Sequence, residues 1–218
     1  MSILVTGFQA YGGRSGNPAA LLAEALDGSV IGGHSVTSRV LPVDLDAVTQ
    51  EIPAILDVVS PDIVLSFGLW PGEAVLRLEE VAVNHSRFEL RDHKGVKSLG
   101  PVREGRPQAH LTGLPIGAMQ RRLRADGIPC RISGTAGGYL CNALFYLMSD
   151  ECARRSRGRV GFMHLPYLPE QVAALLDDVE TSEELEQHQR ADLASMSFDV
   201  MERGVMLALS CAVESLNE

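Results

Sequence analysis

The chain opens with Ser2-Ile-Leu-Val-Thr-Gly7 and continues, after a glycine-containing loop, with Asn17-Pro18-Ala-Ala-Leu-Leu-Ala-Glu-Ala-Leu26. The first run is short and apolar, which is typical of a buried strand, and Gly7 ends it. Asn17 is a favourable helix cap, and Pro18 suits the first helical position, where its missing N–H costs nothing. The opening therefore predicts a strand, a glycine loop and a helix.

This alternation continues along the chain. The patterns predict strands at 35–43, 63–67, 75–83, 130–133 and 161–165, and helices at 44–59, 115–125, 139–155 and 198–216, the last capped by Ser197. Strands that alternate with helices of this length favour an α/β fold with a mostly parallel central sheet. The exception is 87–110, rich in charge, Gly and Pro, which we interpret as a long surface excursion near a site. No repeat or linker divides the sequence, so we expect residues 1–218 to form one domain.

Composition and charge argue against several classes of protein. The 218 residues are 45% hydrophobic and carry a net charge of −9, with the Lys and Arg residues mostly scattered. We therefore expect no nucleic-acid partner, since phosphate contacts need a concentrated basic face. The N-terminus has no basic leader or long apolar stretch, so we expect no signal peptide, no membrane span and a cytoplasmic location.

Four cysteines, at positions 130, 141, 152 and 211, show no paired or Cys-x-x-Cys spacing. In a reducing compartment they should be free thiols, and the spacing does not favour zinc. Cys152 lies on the same predicted helix as Cys141 but about 16 Å along its axis, at ~1.5 Å per residue. A disulfide between them is therefore excluded, and we interpret the cysteines other than Cys141 as buried structural residues.

Cys141 lies in Ser133-Gly-Thr-Ala-Gly-Gly-Tyr-Leu-Cys-Asn142, in the first turn of a predicted helix. Unpaired N–H groups and the positive end of the helix dipole favour thiolate there, so we expect a lowered pKa for this cysteine. The same N–H groups could hold an oxyanion. Taken alone, an isolated cysteine is more often structural than catalytic.

His164 ends the apolar strand in Gly161-Phe-Met-His-Leu-Pro-Tyr-Leu-Pro-Glu-Gln171. Open α/β sheets present functional groups outside the carboxyl ends of their strands, although a core histidine is the commoner interpretation of one such residue. The remaining histidines look like surface residues: His34, His85, His93, His110 and His188. Together, Cys141 and His164 are the two halves of a thiolate nucleophile, which predicts covalent hydrolysis.

A cysteine–histidine pair usually needs a third group to orient the imidazole. The carboxylates most out of place are Glu79 and Glu80, inside an otherwise apolar strand. Alternation puts them on opposite faces, so one of them can be buried, and the spacing does not say which.

The glycine loop at 134–138 has a competing interpretation as a phosphate cradle. It lacks the Lys-Ser/Thr of a P-loop and the full Gly-x-Gly-x-x-Gly spacing. The spacing therefore does not favour a nucleotide site.

Several motifs, spread over nearly the whole chain, carry a resemblance to one family. They are Leu4-Val-Thr-Gly-Phe-Gln-Ala-Tyr-Gly-Gly13 with Asn17-Pro18, Glu79-Glu-Val-Ala-Val-Asn84, the stretch from Ser133 to Asn142, His164-Leu-Pro-Tyr-Leu-Pro-Glu-Gln171, and Ser195-Met-Ser197. They resemble the motifs of the pyroglutamyl peptidase I (pyrrolidone carboxyl peptidase) family, the C15 cysteine peptidases.

The resemblance implies a single three-layer α/β/α domain that removes N-terminal 5-oxoproline (pyroglutamate) from peptides through an acyl-enzyme. It implies Cys141 as nucleophile, His164 as general base and acid, and Glu79 rather than Glu80 as orienting carboxylate. The implied substrate-binding residues are Phe8, Tyr11, Leu69, Tyr139 and Leu140. It further implies no cofactor or metal, peptides with a blocked N-terminus as partners, and a homotetramer.

Two departures from the family pattern concern the pocket. The family's Gly-Gln-Ala-Gly-Gly-Arg is Gly68-Leu-Trp-Pro-Gly-Glu73 here, so Leu69 replaces a polar residue. Glu89 stands where the family has an arginine near the oxyanion region, flanked by Arg87 and Arg91. They motivate an alternative hypothesis: a divergent member that binds a small cyclic amide or acidic ligand without turnover, or hydrolyses a different N-terminal acyl group.

Overall fold

The computed structural model describes residues 2–12, 16–182 and 191–216. The strands are β1 (Ser2–Phe8), β2 (Val30–Ile31), β3 (His34–Leu41), β4 (Ile63–Leu69), β5 (Leu76–Glu79), β6 (Val81–Val83), β7 (Ser86–Arg87), β8 (Leu99–Gly100), β9 (Ala109–Leu111), β10 (Cys130–Ser133) and β11 (Arg159–Leu165). The helices are α1 (Pro18–Leu26), α2 (Leu45–Val59), α3 (Ile116–Ala125), α4 (Leu140–Arg154), α5 (Pro169–Ser182) and α6 (Phe198–Glu214).

A seven-stranded sheet forms the centre, in the order β10-β5-β11-β4-β1-β3-β2. Its pairs are parallel except for β11 with β5 and β2 with β3. The predicted α/β fold with a mostly parallel sheet is therefore confirmed. None of the described helices is long and apolar enough to cross a bilayer.

Helices cover both faces of this sheet, because its central strands are apolar on both sides. Ile3 and Val5 of β1 face the core shared with α1, α3 and α6. Leu4, between them, faces the opposite core, shared with α2 and α4. The alternation of side chains along a strand thus produces the three layers.

The first β–α unit forms as its residues predict. The side chain of Asn17 accepts a hydrogen bond from the N–H of Ala19 at 3.0 Å and donates one to the carbonyl of Gln9 at 3.0 Å. Gly7 is required by close approach, since a Cβ there would lie 2.0 Å from the carbonyl oxygen of Ala19. The cap therefore fixes both the start of α1 and its contact with β1.

The apolar run predicted as one strand at 75–83 is two strands in different sheets. β5 joins the central sheet, whereas β6 pairs with β9 outside it. Glu80 lies at the crossing, where its N–H donates to Ser133 and its carbonyl accepts from Thr112, both at 2.8 Å. Period-2 alternation continues across such a break, so the pattern does not reveal it.

Helix α5 has no counterpart among the predicted helices. It begins at Pro169, where proline's fixed φ favours a helix start. The side chain of Gln171 accepts a hydrogen bond from the N–H of Leu168 at 3.0 Å and donates to the carbonyl of Gly16 at 3.2 Å. Those bonds tie the segment after His164 to the loop before α1.

Candidate active site

Strands β5 and β11 bring Glu79 and His164 together. The two strands are antiparallel neighbours, with Phe162 opposite Glu79 and His164 opposite Arg77. The Nδ1 atom of His164 lies 2.8 Å from Oε1 of Glu79. Glu79 is fully buried, whereas Glu80 is exposed. The choice that spacing left open is thus decided by the pairing register, which puts Glu79 on the same face of the sheet as His164 and Glu80 outside it.

Cys141 is the second residue of α4, directly after the glycine loop. The next residue anchors this turn: the Asn142 amide donates to the carbonyls of Val83 and His85 at 2.9 and 3.0 Å and accepts from the N–H of Val83 at 3.0 Å. Tyr139, the N-cap residue of α4, makes no capping hydrogen bond with its side chain. The N–H groups of the first turn are therefore available to an anion or a developing oxyanion.

Gly68 of β4 separates the thiol from the imidazole. A Cβ at Gly68 would lie 2.7 Å from Sγ of Cys141 and 3.1 Å from Cδ2 of His164. Sγ of Cys141 and Cδ2 of His164, the ring atom bonded to Nε2, therefore both lie next to Gly68. Within the described part of the chain, Nε2 has no hydrogen-bond partner. Catalytic hydrogen bonds are often long before substrate binds, so this geometry suits a base that engages the thiol during reaction.

The ionisation of the pair differs from the sequence-based expectation. Burial, together with the negative charge of Glu79, raises the pKa of Cys141 to about 12, against the opposing effects of its own N–H group and Arg77. Burial also lowers the pKa of His164, although the hydrogen bond to Glu79 acts in the opposite direction. The prediction of a lowered thiol pKa is therefore wrong: burial outweighs the helix terminus. Both shifts favour a neutral thiol and a neutral imidazole in the resting pair.

A cavity of about 470 Å³ opens over these residues. Its lining residues are Tyr11, Leu69, Trp70, Pro71, Arg87, Glu89, Leu90, Ala136, Gly137, Gly138, Tyr139, Cys141 and His164. The wall is mainly apolar and aromatic, which suits a small, uncharged ligand group.

Three of the five residues that the resemblance assigns to substrate binding line this cavity: Tyr11, Leu69 and Tyr139. The other two, Phe8 and Leu140, are not among its lining residues. Their side chains pack into the apolar core shared with α2 and α4, with 3% and 1% of their surface exposed. Phe8 points there because alternation along β1 places it on the same face as Leu4.

The excursion at 87–110 supplies one side of the cavity. The N–H of Arg87 donates to the carbonyl of Gly138 at 2.8 Å, which ties the excursion to the glycine loop. Arg87 and Glu89 both line the cavity and are exposed. Arg91 is not among the lining residues, and its guanidinium donates to the carbonyl of Gly95 at 2.6 Å. Of the two flanking arginines, Arg87 is the one beside the cavity.

Sequence reasoning missed Arg77 and Trp70. Arg77 is 2% exposed, and its Nε donates to Oε1 of Glu79 at 3.0 Å. Its guanidinium carbon lies 3.6 Å from the centre of the Trp70 ring, which meets the His164 ring edge-on at 5.0 Å. Arg77 precedes Glu79 by two residues and so shares its face. Two charged residues on the same face of a largely apolar strand were the signal that could have identified Arg77.

The remaining thiols and histidines lie elsewhere. All four cysteines are free, and Cys130, Cys152 and Cys211 are buried. His110 is not the surface residue we expected: its ring packs 5.2 Å from that of Tyr146 and its Nε2 lies 3.4 Å from Asp150. His188 lies outside the described residues. No group of three or more potential metal ligands occurs among the residues that the structure describes.

A free thiol at a helix start that shares a cavity with a histidine paired to a buried carboxylate is typical of hydrolases that use a cysteine nucleophile. Residues 1–215 match the model of the pyroglutamyl peptidase family, and the chain belongs to that family. It is a cysteine peptidase of the pyroglutamyl peptidase type, which removes N-terminal pyroglutamate.

Known relatives agree in sequence and in fold. The chain is 38% identical over 174 residues to a pyrrolidone-carboxylate peptidase of Pyrococcus furiosus, covering 79% of this chain and 84% of the relative. It is 34% identical over 214 residues to one of Brevibacillus brevis, covering 97% and 93%. A solved mutant pyrrolidone carboxyl peptidase from Pyrococcus furiosus superposes with a TM-score of 0.91 at 34% identity, covering 99% of this chain and 100% of that one.

Proposed function

We propose that Cys141, His164 and Glu79 form the triad with which this peptidase releases 5-oxoproline. The single observation that carries the proposal is the buried 2.8 Å contact between His164 and Glu79, across Gly68 from the Cys141 sulfur. Glu79 only accepts hydrogen bonds, so this contact places the proton on Nδ1 and leaves the lone pair of Nε2 free. His164 is thereby prepared to act as a base.

In the first half of the reaction, Sγ of Cys141 attacks the carbonyl carbon of the scissile amide, which joins the N-terminal 5-oxoproline to the next residue. Nε2 of His164 takes the thiol proton at the same time. Because the raised pKa of Cys141 favours the protonated thiol, this transfer accompanies the attack. The N–H groups at the start of α4 stabilise the oxyanion that forms. His164 then gives the proton to the leaving amine, which departs and leaves a thioester on Cys141.

In the second half, His164 removes a proton from water, and the resulting hydroxyl attacks the thioester. Collapse of the tetrahedral intermediate breaks the C–S bond, returns the proton to the thiol and releases 5-oxoproline. Throughout, the Glu79 charge stabilises the imidazolium that forms twice in each cycle.

The cavity wall accounts for selection of a blocked N-terminus. Tyr11, Leu69 and Tyr139 offer apolar and aromatic surface for a lactam ring, with Phe8 and Leu140 packed in the core behind them. A free α-ammonium group would lose hydration in this apolar space. Glu89 at the rim is exposed and remains hydrated, so its charge offsets little of that loss. Peptides with a cyclised, uncharged N-terminus therefore fit better than free peptides.

A turnover panel tests the proposal. Wild type is compared with Cys141→Ser and His164→Ala on a pyroglutamyl-amide reporter, on reporters with other N-terminal acyl groups and on one with a free N-terminus. We expect both variants to lose turnover by at least about 1,000-fold with unchanged folding. Cys152→Ala, on the same helix, is the matched control and keeps activity.

Two results would contradict the proposal. Wild type that is stabilised by 5-oxoproline but releases no product would be the ligand-binding alternative suggested by Leu69 and Glu89. Preferred release of another acyl group would place the same triad on a different substrate.

We further propose one domain over residues 1–218, a cytoplasmic location, catalysis without cofactor and a homotetramer. The free thiols of all four cysteines support a reducing compartment. The tetramer rests on resemblance to the family, and sedimentation of the purified chain tests it.

A further inference from the structure

Arg77 is a charged side chain buried at the centre of the candidate site, although it does not line the cavity. Burying a guanidinium is costly unless its donors are satisfied. Here each of its nitrogens has a partner: Nε donates to Glu79 at 3.0 Å, Nη1 to Glu73 at 3.3 Å, and Nη2 to Ser133 at 2.7 Å. The cost of burial is therefore offset by partners that belong to the site.

The groups that Arg77 contacts lie in three separate parts of the candidate site. The first is the carboxylate that contacts His164. The second is the loop before the nucleophile, whose Thr135 carbonyl accepts a bond from Nη2 at 2.9 Å. The third is Trp70, whose ring lies 3.6 Å from the guanidinium on one side and meets the ring of His164 on another.

We propose that Arg77 is a positioning residue. It holds the Glu79 carboxylate, the Trp70 indole and the glycine loop at 134–138 in fixed positions around His164. This inference rests on the proposed triad. Only a planar fork of donors with a flat face can satisfy all these partners at once, so lysine is not an equivalent replacement.

The charge of Arg77 adds a measurable signature. Among the described residues, the charged and titratable groups that act on or lie near His164 are Glu79 and Arg77 on β5, Glu73 in the preceding loop and Cys141 on α4. The positive charge of Arg77 acts to lower the pKa of His164, and Glu79 and Glu73 act to raise it. Removing Arg77 therefore favours the imidazolium and should shift the pKa of His164 upward.

Three variants test the inference. Arg77→Met removes charge and fork, Arg77→Lys keeps the charge alone, and Arg131→Met is the matched control. Arg131 is the cross-strand neighbour of Arg77 and also binds Glu73, at 2.6 Å, but makes no contact with Glu79 or Trp70 among the described hydrogen bonds and ring contacts.

For Arg77→Met we expect kcat on a pyroglutamyl-amide reporter to fall about 10- to 100-fold with KM within about threefold, because Arg77 does not contact the ligand space. The acidic limb of its kcat/KM profile should move to higher pH. In Arg77→Lys, kcat should fall to a similar extent, but the acidic limb of the kcat/KM profile should stay near that of wild type. Arg131→Met should resemble wild type in both respects.

The titration of the His164 ring, followed by NMR in the same proteins, needs no turnover. A wild type without turnover would contradict the proposed triad, while the shift of His164 in Arg77→Met would still be measured. If Arg77→Met keeps the wild-type pKa of His164 and the wild-type kcat, the positioning role is overturned. A change in KM alone would also overturn it. If Arg77→Met does not fold, Arg77→Lys decides: unchanged kcat in that variant overturns the proposal.

Discussion

The Nδ1 atom of His164 lies 2.8 Å from Oε1 of Glu79, and neither side chain exposes more than 1% of its surface. The contact forms because β11 pairs with β5 in a register that places both side chains on the same face of the sheet. A solvent-shielded carboxylate holds the imidazole in one tautomer and one orientation, which an exposed one would do less well.

We predict that Glu79→Gln lowers kcat by about 100- to 10,000-fold, because a glutamine amide can donate to Nδ1 and so hold His164 in the wrong tautomer. Steady-state kinetics on a pyroglutamyl-amide reporter measure this. Glu80→Gln, one residue along and exposed, should stay within about twofold of wild type. Equal losses in the two variants would mean that burial against His164 is not what matters.

We predict that Gly68→Ala lowers turnover by about 100-fold, because its Cβ would meet Sγ of Cys141 at 2.7 Å and Cζ of Phe162 at 2.9 Å. The forced shift should also lower the free energy of unfolding by about 1–3 kcal/mol. Kinetics and urea unfolding measure the two effects. Gly134→Ala is the control, since nothing lies within 4 Å of its added Cβ. Full activity in Gly68→Ala would show that thiol and imidazole need not approach over this residue.

We predict that the free enzyme holds Cys141 as a thiol across neutral pH, because burial and the charge of Glu79 raise its pKa to about 12. The ultraviolet absorbance of thiolate, taken as the difference between wild type and Cys141→Ser, should stay flat from about pH 6 to about pH 9. A titration step within that range would instead mean that the helix terminus and His164 stabilise a resting thiolate.

We predict that Leu69→Gln lowers KM for a pyroglutamyl-amide reporter by about 3- to 10-fold, the worth of one added hydrogen bond to the lactam. Only 4% of the Leu69 surface is exposed, but the side chain lines the cavity. The new amide can therefore reach a bound ring. Leu69→Met, similar in size but without a donor, serves as control. A rise in KM for the glutamine variant would indicate that this chain has tuned its pocket to a different group.

Stability should depend on Asp150 of α4, which is fully buried between Arg103 and Arg106 at 2.8 and 2.9 Å. Burial alone raises the pKa of Asp150, but the hydrogen bonds from Arg106 and Arg103 outweigh it and hold the pKa below its ordinary 3.8. A depressed carboxyl pKa contributes stability that is complete above 3.8 and is lost as pH falls through the lower, folded value.

Asp150→Asn should therefore cost about 1–3 kcal/mol near neutral pH, because it removes the charge-assisted hydrogen bonds of a buried carboxylate with two partly exposed arginines, and less at about pH 3. Urea unfolding at the two pH values measures the difference. Asp57→Asn, in an exposed pair with Arg155, should change stability by less than about 1 kcal/mol at either pH. A cost for Asp150→Asn that is equal at both pH values would show that the carboxylate charge is not the stabilising feature.

Local patterns in the sequence were sufficient for most of the fold. The Asn17 cap, the apolar strands and the glycine loop before Cys141 depend on neighbours a few residues away, so short-range chemistry reveals them. The division of residues 75–83 between two sheets was missed, because it depends on pairing with β9 and β10, which lie far along the chain.

By itself, the sequence determined the layered α/β architecture and two separate candidates, Cys141 and His164, since strand-end and helix-start positions are local properties. Tertiary structure decided which of Glu79 and Glu80 meets the imidazole, since that depends on the pairing of β5 with β11 and on which side chain then shares a face of the sheet with His164. It also set the direction in which the thiol pKa moves, because burial is a property of the packed molecule and raises that pKa. Arg77 belongs to this second group, since its partners come together only when the sheet, the loop and Trp70 are assembled.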